Sequence, residues 1–474
     1  KEGMAQMLDA ASIEKLTKIV ASKNIVVAVG THREYLVGFA GTDAEELQIA
    51  ASPAESVLVR GEMNFMNSYA DKKLLGVMTV SKELQEGLAK NTTLLGSVVT
   101  GLKDGLAATQ GFGDTRDLEV LLELIAEQEK TLLKMYSYTP AGVVAFLEKG
   151  LKIESYGGSN LADVDLDTPR KYAGLGDGED VFLFANWVEN PAFTEAALDY
   201  LDSIGETVYL GAKQATKLEV EDANFEEFKG GFAMFDEKLR PHLVELWTGL
   251  RGDLVSGLGS EGAVIVDLKG ELPTVPGLPQ VVVDKGKAPR LGLLAPADDK
   301  EKLGSAWKRI DGAAQGILKV VSEMTGENIP MQRPMSSEKN DLKTWFFPFP
   351  FQTDDFVLSV SVDKENFFAS TSKSFVQDLS AKLEDVEVDE SQTGAYFEVD
   401  FTVLNGYLNE WLALVEANAG EMFGEGSPAA EEFRENLPMI KEVVAATAEL
   451  KGIKGHTRKA DGTIRSSIHI ETGE

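Results

Sequence analysis

The sequence predicts an α+β protein, built of duplicated lobes of mainly antiparallel sheet with helices packed on one face. Three observations predict this. Short apolar runs pass straight into amphipathic helical patterns, and pairs of strand-like runs flank tight polar corners. One strand–turn–strand–helix plan also occurs twice, about 330 residues apart, and repeats are read before single motifs.

The first copy begins with apolar residues 25–29, turns at His32-Arg33-Glu34, returns through 35–39 and continues into an amphipathic stretch from Asp43 to Ala50. The second runs through 356–360, turns at Asp363-Lys364-Glu365, returns through 366–370 and continues from Ser374 to Leu383. Four further segments, 57–64, 181–187, 290–296 and 395–401, read as strands entering helices. After the second, Ala197, Leu198, Leu201 and Ile204 keep helical spacing, as do Leu303, Trp307, Ile310 and Ala314 after the third. Asn190-Pro191 and Asp298-Asp299 supply capping side chains at those helix starts.

Residues 142–147 and 150–155 form a predicted hairpin around Glu148-Lys149, and 262–267 is another strand. Residues 463–470 close the chain after an Asp461-Gly462 turn. Glycine, proline and acid gather at 156–180 and at 272–289, and 280–284 within the second linker offers a further strand. The expected lobes are therefore 1–158, 159–285 and 286–474, the last echoing the first.

At 474 residues the chain exceeds the size at which one core stops growing. It carries 77 acidic against 46 basic residues, a net charge of −31. That field repels nucleic-acid phosphates and anionic lipid surfaces, and it keeps a protein soluble. The absence of cysteine excludes disulfides, thiolate metal sites and cysteine nucleophiles. No apolar run approaches the roughly 18 residues of a membrane span, so no transmembrane segment is expected in this chain. It opens Lys1-Glu2-Gly3-Met4, which reads as a removed leader or a missing head.

Candidate chemistry is sparse. Asp163, Asp165 and Asp167 begin like a calcium loop, but Thr168 stands where the turn needs glycine and Gly174 where a glutamate ligand belongs. An exposed acidic turn is the simpler reading. His32, His242, His456 and His469 share no metal-type spacing, and His456 falls in a basic, loop-like stretch. Gly111-Phe112-Gly113 and the run from Gly174 to Gly178 match no phosphate cradle. Arg251-Gly252-Asp253 reads as part of a glycine-punctuated turn. Carboxylates at strand–helix corners (Glu62, Asp298, Asp299 and Asp400) suit helix N-termini without catalysis. No metal or other cofactor is predicted.

The least ordinary stretch is Trp345-Phe346-Phe347-Pro348-Phe349-Pro350-Phe351. Its prolines break a hydrogen-bond ladder, which predicts an edge strand or extended arm. Packed inward, the aromatics form a core. Exposed, Trp345, Phe346, Phe347, Phe349 and Phe351 form a surface for a protein partner or an apolar ligand.

Asp354-Asp355-Phe356-Val357-Leu358-Ser359-Val360, followed by Phe367-Phe368-Ala369-Ser370-Thr371-Ser372-Lys373, resembles secreted or envelope α+β repeat-lobe proteins of Gram-negative bacteria. That family carries a domain of unknown function. Leu293-Leu294-Ala295-Pro296 leading to Asp299-Lys300-Glu301-Lys302-Leu303 adds to the resemblance, which covers mainly 290–380. It implies a periplasmic, cell-envelope or secreted setting, with the cytoplasm as the alternative, a function other than catalysis, and no transferable functional residue. The expected function is a non-catalytic binding or assembly protein acting through inter-lobe or aromatic-arm surfaces. The alternative is a hydrolase whose carboxylates converge between lobes, with Asp163, Asp165 or Asp299 as candidates.

Overall fold

A computed structural model describes residues 26–32, 35–56, 59–91, 95–108, 115–218, 222–274, 276–327, 333–347, 353–460 and 462–473. The chain forms two compact units, Lys1–Ala70 and Asp71–Glu474. In the first, strands β1 (Val26–His32) and β2 (Tyr35–Gly41) pair antiparallel from Val26↔Gly41 to His32↔Tyr35. Short 3-10 segments follow at Ala44–Glu46 and Pro53–Glu55, and a longer one at Gly61–Tyr69.

The second unit contains a thirteen-stranded sheet, antiparallel at every pairing. Three sets of three strands are each built the same way, as a strand, a helical excursion, then two strands that pair back. Strand β3 (Leu74–Val80) leads through helices α1 (Lys82–Asn91), α2 (Gly96–Ala108) and α3 (Arg116–Met135) to β4 (Tyr138–Leu147) and β5 (Gly150–Ser159). Strand β6 (Val181–Val188) leads through α4 (Pro191–Ala215), α5 (Ala223–Met234) and α6 (Arg240–Trp247) to β7 (Glu261–Glu271). The chain then passes α7 (Gln280–Lys285) and enters β8 (Lys287–Pro296). Helix α8 (Lys300–Thr325) leads to the meander β9 (Met335–Lys339), β10 (Leu342–Phe346), β11 (Ser359–Val362) and β12 (Asn366–Ser370), after which comes α9 (Lys373–Leu383). Strand β13 (Ala395–Asp400) leads through α10 (Phe401–Phe423) and α11 (Pro428–Thr447) to β14 (Leu450–Ala460) and β15 (Thr463–Thr472). The order across the sheet is β3-β4-β5-β15-β14-β13-β6-β7-β8-β12-β11-β10-β9.

The strand–helix junctions form where capping chemistry marks them. The Asn190 side chain accepts from Ala192 N at 3.1 Å with Pro191 opening α4, and Asp299 accepts from Glu301 N and Lys302 N to start α8. Asp400 does the same for α10 through Thr402 N and Val403 N. Each such cap contributes about 1 kcal/mol. Gly326 ends α8 in the left-handed region at φ 72°. At the β4–β5 turn, Gly150 adopts φ 121°, and a Cβ there would lie 2.0 Å from the Ile470 carbonyl oxygen. Close approach of β15 requires glycine at that point.

Helix α9 covers one face of the sheet. Its Phe375, Val376 and Leu379 pack with Phe184, Ile265, Leu294, Leu342 and Phe368, together with Tyr172 and Leu175 of the preceding loop. A second cluster, Val99, Leu118, Leu122 and Ile125, joins α2 to α3, with Tyr200 and Ile204 of α4 packed against it. Buried Glu129 supports this cluster by accepting from Leu95 N and Gly96 N at the start of α2.

Several local expectations are corrected. Both echoing hairpins form, but the segment after the first makes only the turn Ala44–Glu46, whereas α9 follows the second. The described part of 57–64 is 3-10 rather than strand, and the strand–helix junction lies instead at β3–α1. Residues 280–284 are helical, because Pro279 precedes them without a strand partner and Val282 is buried against the body. The sheet also runs across positions 158 and 285, since β5 pairs with the C-terminal β15 and β7 pairs with β8. Helices lie on both faces, because α8 touches the face opposite α9 through Trp307 and Trp345.

Candidate functional site

Directly paired residues of neighbouring antiparallel strands share a face. Following the pairings from β3 inward gives Gly76, Ala145, Ile153, Ile468, Gly455 and Phe397. The same row continues through Ala185, Val264, Leu293, Ala369 and Val360 to Trp345 and finally Ser336 on β9. It crosses all thirteen strands and bears no charged side chain. Two residues along, a parallel row on the same face reads Leu147, Leu151, Ile470, Ile453, Val399, Leu183, Val266 and Leu291.

The two faces differ sharply in burial. On the α9 side, Val144, Asn186, Ile265, Phe368 and Ser361 are fully buried. On the apolar side only Gly455 is buried, while Phe397 is 38%, Ile468 40%, Leu293 44% and Leu147 50% exposed. A Cβ on Gly455 would lie 2.1 Å from the Phe397 ring, so the glycine lets that ring lie flat across β14. The aliphatic face is thus continuous across the sheet and left half open.

The aromatic stretch divides between the two faces. Trp345 belongs to the apolar row and stacks on Trp307 of α8, with Lys343 Nζ 5.1 Å from its ring centre. Phe346 points to the opposite face, where Lys373 Nζ lies 4.5 Å from its ring centre. Phe347 is half-buried, and Phe349 and Phe351 lie outside the described residues. Strand β10 is not an edge strand, because β9 pairs with it on the outer side and the strand ends before Pro348.

The carboxylates of Asp165 and Asp299 serve their own local backbone. Asp165 accepts from Asp167 N, Thr168 N and the Thr168 hydroxyl, while Asp167 pairs with Lys459 at 3.0 Å. Asp163 gives its carbonyl to Asn190 N, and Asp299 caps α8. No group of three or more His, Asp or Glu among the described residues is arranged to hold a metal ion. Arg251 and Asp253 lie in a π-helical stretch, Thr248–Val255, rather than a turn. There Arg251 pairs with Asp199 and Asp202 of α4, and Asp253 pairs with Arg309 of α8. Residues 111–113 lie outside the described residues, whereas Ala173–Gly176 forms a 3-10 turn. His456 sits within β14, held between β13 and β15 rather than in a loop.

Sequence inspection missed one buried ionic cluster. Arg290 donates to both Asp267 oxygens at 2.9 and 2.6 Å, reaches Asp355 at 3.3 Å and Asp378 at 3.2 Å, and stacks 4.6 Å from the Phe375 ring centre. Burial opposes its charge, but the surrounding carboxylates hold its pKa above the ordinary arginine value. Asp355 also accepts from Glu271 N and from the Ser372 and Ser374 hydroxyls. Every strong donor is matched, so this cluster fastens α9 and the loop before β11 to the sheet.

Compared with family models, curated proteins and solved structures, the chain matches none. No helix among the described residues is long and apolar enough to cross a membrane.

Proposed function

We propose that this chain is a non-catalytic binding protein whose ligand is an acyl chain or comparable extended apolar molecule, laid on the open sheet face and reaching Trp345. The observation that carries the reading is the apolar row through thirteen strands with Gly455 as its only buried member. Twelve inter-strand steps at about 4.8 Å give a track of roughly 58 Å. Covering exposed aliphatic surface contributes about 25 cal/mol per Å². A protein partner fits less well, since protein interfaces carry roughly one hydrogen bond per 100–200 Å² and these rows hold almost no side-chain donors or acceptors. A second copy would bring one charge of −31 against another. An envelope or secreted setting belongs to the same reading and rests on the sequence resemblance alone.

Titration with the fluorescent polyene cis-parinaric acid tests it. Saturable binding that palmitate displaces supports the assignment. A flat titration at micromolar protein removes it.

A further inference from the structure

On the acyl-chain reading of the open sheet face, on which this assignment rests, we propose that the ligand is a free fatty acid. Its carboxylate is held by the Lys343 ammonium, and its tail runs from Trp345 across β11, β12 and β8.

Lys343 stands two residues before Trp345 on β10, so both side chains lie on the apolar face. Its own row runs through Val362 on β11, Phe367 on β12 and Ala295 on β8. Beyond β13 the same row holds Thr457, Ser466 and Ser155. Across this row and the two apolar rows beside it, Lys343 and Glu338 are the only charged side chains among the described residues. Both stand at one end, on β10 and β9. At the other end, β3 carries no charged residue and leaves Leu75 and Met78 more than half exposed. The face is therefore polarised, with a place for an ionised end group at β10 and none at β3.

Lys343 is exposed, and its Nζ lies 5.1 Å from the Trp345 ring centre. Glu338 opposes it directly on β9, yet neither Glu338 nor any other described carboxylate lies within ion-pair distance of that nitrogen. The ammonium thus sits against the indole rather than against its acidic neighbour.

A carboxylate placed there forms a charge-assisted hydrogen bond, roughly twice as strong as a neutral one. A neutral ester or alcohol offers Lys343 no counter-charge. The net charge of −31 repels anions at long range, so the local ammonium decides whether an acid is admitted. Four inter-strand steps, from Trp345 through Val360, Ala369 and Leu293 to Val264, cover roughly 19 Å, about the length of an extended palmitoyl chain.

The test compares cis-parinaric acid with its methyl ester by fluorescence titration, in the wild type, Lys343→Gln and Lys343→Arg. The acid is expected to bind the wild type about tenfold more tightly than the ester. Lys343→Gln should bring the acid down to the ester's affinity without changing the ester, and Lys343→Arg should keep the difference. Equal affinities in the wild type, or undiminished acid binding in folded Lys343→Gln, overturn the head-group assignment but leave acyl-chain binding in place. If neither probe binds the wild type, both fall together.

Discussion

The indoles of Trp307 and Trp345 stack with ring centres 6.2 Å apart and planes 29° from parallel, joining α8 to the apolar face of β10. This contact fixes a helix over one end of the apolar track. It also half-buries Trp345, whose cross-strand neighbour Ser336 on β9 is exposed. Stacked aromatic pairs contribute about 0.5–1.5 kcal/mol beyond their area. Trp307→Ala should therefore cost about 2 kcal/mol in urea denaturation and red-shift the remaining tryptophan emission, while Trp307→Phe should recover most of the loss.

The Arg290 cluster predicts unequal costs for its acids. Asp267 is buried and grips the guanidinium with both oxygens, whereas the Asp378 side chain is 57% exposed. Removing one partner of a buried pair strands the other charge, at about 3–5 kcal/mol, while exposed pairs contribute about 0–1 kcal/mol. Denaturation of Asp267→Ala and Asp378→Ala should show that difference, and equal losses would refute it.

Acid stability should depend on Glu148. Hydrogen bonds from Lys152 and Lys72 lower its pKa to about 2. A depressed folded pKa contributes stability above the unfolded value of 4.5, and that contribution is lost as pH falls towards about 2. In Glu148→Gln, the fall in stability between those pH values should be shallower than in the wild type, as followed by circular dichroism in urea.

Gly455 should tolerate no side chain. A Cβ there meets the Phe397 ring at 2.1 Å, so Gly455→Val must push the ring off the face or strain β14. A loss of about 1–3 kcal/mol is expected. Combining it with Phe397→Ala should relieve the clash, so the two changes should be non-additive in a double-mutant cycle.

The sequence made the junctions legible and left the faces hidden. Asn190, Asp299 and Asp400 announced helix starts because capping is local chemistry, and the Glu148-Lys149 corner announced its hairpin for the same reason. The helix at Gln280–Lys285 was hidden because a valine run favours strand locally, whereas the burial of Val282 depends on the body around it. The strand status of His456 was hidden by glycines and cations that show no alternation, since its partners are 395–400 and 463–472. The apolar track could not be read either. Each strand contributes one or two residues to it, and only long-range register lines up Ile153, Ile468, Phe397 and Leu293. Arg290 meets Asp267, Asp355 and Asp378 through the same long-range pairing.

Quenching of tryptophan fluorescence by a dibrominated C18 fatty acid tests the proposed acyl-chain face most directly, because Trp345 lies on the track itself. The account predicts saturable quenching in the wild type and in Val443→Asp, a change at an exposed position of α11. It predicts loss of quenching in folded Leu293→Asp. Absence of quenching in the wild type, or undiminished quenching in Leu293→Asp, would contradict it.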